Sequence, residues 1–283
     1  MKFIFSTGSL YTYSPDRIFA FAVEAGFDGI ELMADHRWDT RQADYVEELI
    51  QRHSLPVLAL HSPFSPVPGW SKEQPEIIAQ SVKLAEAIGA PVIIHHLPKR
   101  FNWMTLQMAF GKQTRVPLPF GNPERGYASW LENGYQQLQE RTDVLLCIEN
   151  MPAHPALGWN WRFYDWNAYD MDHLHDICRF PYLTMDTTHL ATWGLEAVDV
   201  YKQWRQKVQH VHLSNYDGRE HRRPEAGTIH LDALLAEMAN DGYERSISME
   251  LHPDALEEGA PDERIVELMS TSLGYCRRWA NQG

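Results

Sequence analysis

Cysteine is scarce in this chain of 283 residues: Cys147, Cys178 and Cys276 are its whole complement. An odd number at wide spacing suits free thiols in a reducing compartment better than a disulfide framework, so the cytoplasm is the expected location. None of the three closes an apolar run, and no Ser-His-Asp or Cys-His arrangement stands out, which argues against covalent nucleophilic catalysis. Positive charge is also short. Lys and Arg number 25 against 38 Asp and Glu, and the formal net charge of −13 repels a phosphate backbone and opposes bulk nucleic-acid binding. Long hydrophobic runs are missing: the opening stretch Met1–Gly8 is too short for a signal-peptide core or a bilayer span, so no membrane association is expected. No Gly-rich phosphate loop follows the first apolar run, where Thr7-Gly8-Ser9-Leu10 stands. Low-complexity tracts and short repeats are lacking too.

What is present is regular. Hydrophobic residues make up 44% and charged residues 22%, an ordinary globular composition. Eight apolar runs, rich in Val, Ile and Leu, recur along the chain: Lys2–Thr7, Gly29–Met33, Pro56–Ser62, Pro91–Leu97, Val144–Asn150, Tyr182–His189, Val208–Asn215 and Arg245–His252. Each is followed by a stretch of helical periodicity: Asp16–Ala25, Ala43–His53, Glu76–Ile88, Tyr127–Glu140, Asp172–Arg179, Glu196–Gln206, Leu231–Asn240 and Glu263–Trp279. Strict βα alternation through eight units, with strands apolar on both faces, predicts a parallel sheet covered by helices and closed into a single (β/α)8 TIM barrel over residues 1–283. Two βα connections are long. Pro98–Gly126 carries Lys99, Arg100, Lys112, Arg115 and Arg125, and Ala153–Asp170 carries Trp159, Trp161 and Trp166; loops of this length are candidate lids, with a solvated charged loop and an aromatic rim cluster as the plain alternatives.

The active site of such a barrel lies at the carboxyl ends of its strands. Here those ends are polar: His61 closes the third run, His95 and His96 the fourth, Glu149 the fifth, Asp186 and His189 the sixth, His212 the seventh and Glu250 the eighth. Any one of them alone is better read as a partner of a neighbouring loop. Six strands ending this way converge carboxylates that repel one another unless a cation neutralises them, and no Lys or Arg lies among them. Glu, Asp, His and Glu offer three oxygens and one nitrogen, a set that suits Mn, Mg, Co or Zn, with Mn²⁺ first. With period two, Glu149 shares its direction with Cys147, and Glu250 with Ser248, small residues able to face a barrel interior.

The segments Ala25-Gly26-Phe27-Asp28-Gly29-Ile30-Glu31-Leu32, Ile148-Glu149-Asn150, Met185-Asp186-Thr187-Thr188-His189, Val211-His212-Leu213 and Met249-Glu250-Leu251-His252-Pro253 resemble the xylose isomerase-like barrel superfamily, which includes sugar isomerases, sugar epimerases and endonuclease IV-type enzymes. The resemblance implies that Glu149, Asp186, His212 and Glu250 bind one metal, and that Glu149 and Glu250 also flank a ketose as acid and base. It makes Arg219 a substrate-binding candidate, with a solvated loop charge as the alternative. Glu31, near the end of the second run, is a candidate for a substrate hydroxyl or for a neighbouring loop.

The endonuclease branch uses three metals, and His61, His96, Glu149, Asp186, His189, His212, His221 and Glu250 match its ligands, His96 being preferred to His95 by its distance from Gly89. Arg219 stands where that branch has Asp, and a guanidinium cannot ligate a metal. The leading expectation is therefore a metal-dependent isomerase or epimerase of a small sugar, sugar acid or sugar phosphate. It has one ion, with His61, His96 and His189 facing the carbohydrate substrate. An endonuclease IV-type phosphodiesterase is the runner-up, with those histidines and His221 as additional ligands, and a non-catalytic carbohydrate-binding barrel comes third. An oligomer is compatible with the sequence, which does not specify one.

Overall fold

The computed structural model describes residues 1–98, 102–107, 113–118, 125–155, 162–164 and 177–281. Its strands are β1 (Lys2–Ser6), β2 (Gly29–Met33), β3 (Val57–His61), β4 (Val92–His96), β5 (Asn102–Gln107), β6 (Gln113–Leu118), β7 (Leu145–Glu149), β8 (Ala153–Pro155), β9 (Arg162–Tyr164), β10 (Leu183–Asp186), β11 (Val208–Leu213) and β12 (Ser246–Met249). Eight of them close a parallel barrel in the order β1-β12-β11-β10-β7-β4-β3-β2. The other four form two antiparallel hairpins, β5–β6 and β8–β9, within the two long connections. All eight predicted runs are the barrel strands. Lys99, Arg100, Lys112, Trp159, Trp161, Trp166 and most of the predicted helix Asp172–Arg179 lie outside the described residues.

The described helices are α1 (Pro15–Ala25), α2 (Ala43–His53), α3 (Gln74–Ile88), α4 (Arg125–Asn133), α5 (Tyr135–Gln139), α6 (Thr187–Thr192), α7 (Ala197–Trp204), α8 (Leu231–Asn240) and α9 (Asp262–Ala280). Local chemistry sets their ends. In α1, Ser14 accepts from the Arg17 N–H, Pro15 occupies the first turn, and Gly26 at φ 91° takes the left-handed closing position. Gly29 is needed for a different reason, because a Cβ there would stand 2.8 Å from the Pro56 carbonyl, where β2 passes β3. The helix predicted over Tyr127–Glu140 is broken at Gly134, where the Trp130 ring occupies the place of a Cβ.

Strand residues that point away from the barrel axis, such as Phe5, Ile30, Leu60, Ile93, Ile148, Met185, Val211 and Ile247, merge with the helices into one large buried core. Each such aliphatic, wholly removed from water, contributes about 1.5–3 kcal/mol. Inside the barrel a second, smaller apolar cluster of Ile4, Ala59, Val92, Ile94 and Cys147 forms a plug beneath the polar strand ends. Among the described residues no helix is long and apolar enough to cross a membrane.

Candidate metal centre

Alternation along the strands puts the polar residues on the axis above the plug. Glu149 on β7, Asp186 on β10, His212 on β11 and Glu250, one residue past β12, offer ligand atoms that all lie within 4.8 Å of one another. Two further groups share members with this one: His61, His96 and Glu149, and Asp186, His189 and His221. Glu149 is the hub. Its Oε2 stands 3.4 Å from His61 Nε2 and 3.2 Å from His96 Nε2, and its Oε1 stands 3.3 Å from His189 Nδ1 and 3.2 Å from His212 Nδ1.

Asp186 owes its orientation to a helix start. The predicted sixth run extended to His189, but the strand stops at Asp186 because its side chain caps α6, accepting from the His189 N–H at 2.7 Å and from Thr188 Oγ1 at 3.0 Å. Asn150 fixes the Asp186 backbone from both sides, accepting its N–H at 2.8 Å and donating to its carbonyl at 3.0 Å. One carboxylate oxygen is thus committed. The other, Asp186 Oδ2, is buried without a hydrogen-bond partner, as is Glu149 Oε2.

The imidazoles are wired to match. His61 Nδ1 donates to the Ser62 carbonyl at 2.8 Å, and His189 Nδ1 donates to the Asn150 carbonyl at 2.7 Å. A carbonyl only accepts, so in each neutral ring the other nitrogen carries the lone pair. For His61 that lone pair faces the unpartnered carboxylate oxygen of Glu149. Two acceptors turned on each other in a buried site call for a proton or a cation between them, and histidines tied on one nitrogen and bare on the other are the usual form of metal ligands. The residues fit a divalent ion, by donor type as well as by these orphaned oxygens.

Protons can do the same neutralising work. Burial opposes charge on His212, but Glu250, Glu31 and Glu149 outweigh it and hold its pKa well above the ordinary value. His189 is desolvated too, yet Asp186 and Glu149 raise it to about 10. For Glu250, burial is overcome by His212 and His221, and the carboxyl falls to about 2. Glu149 is likewise held well below the usual range against burial, chiefly by His212 and His96. The centre is thus built to be filled by positive charge.

His221 also lines a neighbouring cavity of about 540 Å³, together with Thr192, Tyr216, Arg219, Arg222, His252 and Asp254. Arg219 is exposed, paired with Asp217 at 2.8 Å and Asp254 at 3.7 Å. His221 occupies the left-handed region at φ 57°, a costly place for a histidine, next to the bridge between Asn215 and Arg222 and with its carbonyl accepting the His252 N–H at 2.8 Å. Phe64, half exposed, stacks on His96 with ring centroids 5.7 Å apart.

The structure brings together Glu149, Asp186, His212, Glu250, His61, His96, His189 and His221, and puts Arg219 at the mouth. It turns His95 outward, where its Nδ1 is 2.8 Å from the Tyr127 hydroxyl and burial, with the charges of His96 and His61, pushes its pKa down to about 3. Glu31, a candidate for a substrate hydroxyl or a neighbouring loop, has both carboxylate oxygens engaged by barrel residues. It is fully buried within the barrel, its oxygens taken by Ser6 Oγ at 2.9 Å, His210 Nε2 at 2.7 Å and His212 Nε2 at 3.0 Å. Sequence reasoning missed His210, although its two-residue spacing from His212 on one strand was the available signal. Phe64 carried none.

The profile of the xylose isomerase-like TIM barrel family matches residues 19–271. An uncharacterised protein of Mycobacterium leprae is 23% identical over 302 residues, covering 97% of this chain and 96% of that one. An uncharacterised protein of Mycobacterium tuberculosis is 23% identical over 300 residues, covering 96% and 95%. Among solved structures, a D-tagatose 3-epimerase-like protein superposes with TM-score 0.67 at 19% identity, covering 100% of this chain and 99% of that one. A 3-keto-D-glucoside 4-epimerase from E. coli gives TM-score 0.67 at 16% identity over 98% and 99%. A probable 3-DHS dehydratase from Bacillus anthracis gives 0.62 at 16% over 97% and 99%. At these identities the superpositions speak for the fold.

Proposed function

The chain belongs to the xylose isomerase-like TIM barrel family, and on that premise we propose that it is a metal-dependent isomerase or epimerase of a small sugar, sugar acid or sugar phosphate. Glu149, Asp186, His212 and Glu250 would hold one divalent ion. The observation that carries the reading is the convergence of these four at the barrel mouth, with Glu149 Oε2 and Asp186 Oδ2 buried and unpartnered. Structural neighbours named as sugar epimerases support the substrate class.

A divalent ion held by these four residues would supply positive charge to stabilise negative charge developing on the substrate oxygens. The protein moves the proton. Glu250 and Glu149 both stand beside His212 Nδ1, at 3.0 and 3.2 Å, so the two carboxylates border the same ligand cluster, and a carbonyl compound held by that cluster would meet both. Both carboxyls are held ionised, and either can accept the proton from the carbon beside the carbonyl. Inversion follows when the other carboxyl, having first taken a proton from solvent, delivers it to the opposite face of that carbon; isomerisation follows when the abstracted proton goes to the former carbonyl carbon while the neighbouring hydroxyl proton passes to the former carbonyl oxygen. Glu250, the more exposed of the two, faces the mouth, and Glu149 lies deeper.

Incubation in heavy water with a panel of ketoses, sugar acids and sugar phosphates is expected to place deuterium on the carbon beside the carbonyl or to interconvert epimers, and Glu250→Gln to abolish both. No exchange across the panel with metal-loaded enzyme would sink this reading.

A second reading, a phosphodiesterase with several metals, is favoured by one observation: the groups His61-His96-Glu149 and Asp186-His189-His221 flank the first and share its carboxylates. Against it stand the net charge of −13 and Arg219 in place of a carboxylate. Counting ions by anomalous scattering separates the two. Two or three well-occupied metals, together with abasic-site DNA cleavage lost in His96→Ala, would replace the isomerase assignment.

A further inference from the structure

One carboxylate in the barrel interior has no part in the chemistry just described. Glu31 is fully buried on β2, and its Oε2 meets two imidazoles at once, His210 Nε2 at 2.7 Å and His212 Nε2 at 3.0 Å. Its Oε1 accepts from Ser6 Oγ at 2.9 Å, and His210 Nδ1 is 2.9 Å from Ser246 Oγ. Every polar atom of Glu31 and His210 is therefore engaged within the barrel. Of the three residues, only His212 has a ring nitrogen left over, Nδ1, which faces Glu149, Asp186 and Glu250 at 3.2, 3.8 and 3.0 Å.

An ionised carboxylate only accepts hydrogen bonds, so both Nε2 atoms must carry hydrogens toward it. We infer that Glu31, held in place by His210, is a positioning residue. It keeps the His212 Nε2–H turned down into the barrel and so aims Nδ1 at the ligand cluster. The arrangement is a carboxylate–histidine pair behind a metal ligand, extended by a second histidine that fixes the carboxylate itself. His210 earns its burial this way: it lies two residues before His212 on β11, so both rings enter the interior on one face, one above the other, with centroids 5.2 Å apart and perpendicular planes.

This assignment rests on the metal reading, and its test is built to fail separately. In metal-free protein, proton NMR with nitrogen-15 labelling is expected to show exchange-protected, downfield Nε2–H resonances for both His210 and His212. In Glu31→Gln, where the carbonyl still accepts but the charge is gone, both should move upfield. Zn²⁺ affinity, measured by competition with a chromophoric chelator, is expected to fall about 10–100-fold in Glu31→Gln. A smaller loss is expected in His210→Phe, which keeps the ring volume but frees Glu31. Circular dichroism and thermal unfolding verify that each variant is folded. A protected His212 hydrogen on Nδ1 alone, or Zn²⁺ affinity within twofold of wild type in folded Glu31→Gln, overturns the assignment. Wild-type protein that takes no Zn²⁺ overturns the metal reading instead, and the His212 resonance then decides the role of Glu31 by itself. If Glu31→Gln does not fold, the wild-type resonance still decides.

Discussion

The two faces of each barrel strand differ in chemistry. Toward the helices, Phe5, Ile30, Leu60, Ile93, Ile148, Met185, Val211 and Ile247 make an apolar shell that buries area and carries stability. Toward the axis, the upper positions are Ser6, Glu31, His61, His96, Glu149, Asp186, His210 and His212, which satisfy one another or wait on a cation. Neighbouring residues can fall on opposite sides of this division. His95 faces outward, neutral against Tyr127, and His96 faces Glu149. The lesson is that stability and chemistry are separated here by strand parity rather than by region of the chain. The apolar plug of Ile4, Ala59, Val92, Ile94 and Cys147 closes the interior beneath the polar layers, which removes water from their lower side and strengthens every charge interaction above it.

The inner face should fail first in function. Glu149→Gln removes the charge shared by four imidazoles, so elemental analysis is expected to find the purified variant depleted of divalent metal, with turnover down by about 10²–10⁴-fold. Full metal retention in this variant would break the contrast between the faces at its centre. On the outer face, Ile93→Ala is expected to cost about 2–5 kcal/mol in denaturant unfolding and to leave turnover per folded molecule unchanged. If it altered turnover as much as Glu149→Gln, the separation by parity would not hold.

The pH dependence of stability sharpens the comparison further. In chelator-treated protein the raised pKa of His189 means that its protonated form stabilises the fold. That contribution is complete below about pH 6.5 and is lost as pH rises toward about 10. Glu250, lowered from 4.5 to about 2, works in the other direction: its contribution is present above pH 4.5 and is lost as pH falls through about 2. Thermal midpoints of the chelated protein should therefore decline between pH 6.5 and 10. A divalent ion, which replaces the proton, should flatten the decline. A midpoint that climbs over this window would show that the inner cluster is not held together by protonated histidine. The smallest effect is expected at the mouth. Arg219→Ala, exposed and paired with Asp217, should leave the thermal midpoint unmoved and raise KM several-fold if the side chain meets substrate; an unchanged KM would reduce Arg219 to a solvated charge.

Much of this was legible in the chain. The eight strands could be read because each is a local apolar run between turn signals, and their closure follows from strict βα alternation. The strand-end carboxylates and histidines could be read too, since a barrel's chemistry sits where its strands end. Tertiary structure alone decided the partners. Glu31 and His212 are 181 residues apart, and only closure of the barrel, with its stagger between β2 and β11, brings their side chains to 3.0 Å. The free oxygen of Asp186 depends on where α6 begins, and the bare nitrogen of His61 on a single backbone carbonyl. Sequence pattern determines which residue types reach the axis, because alternation is a local property. Which lone pair points at which neighbour is a property of the closed barrel, because hydrogen bonding is directional and is settled only when every group has met its partner.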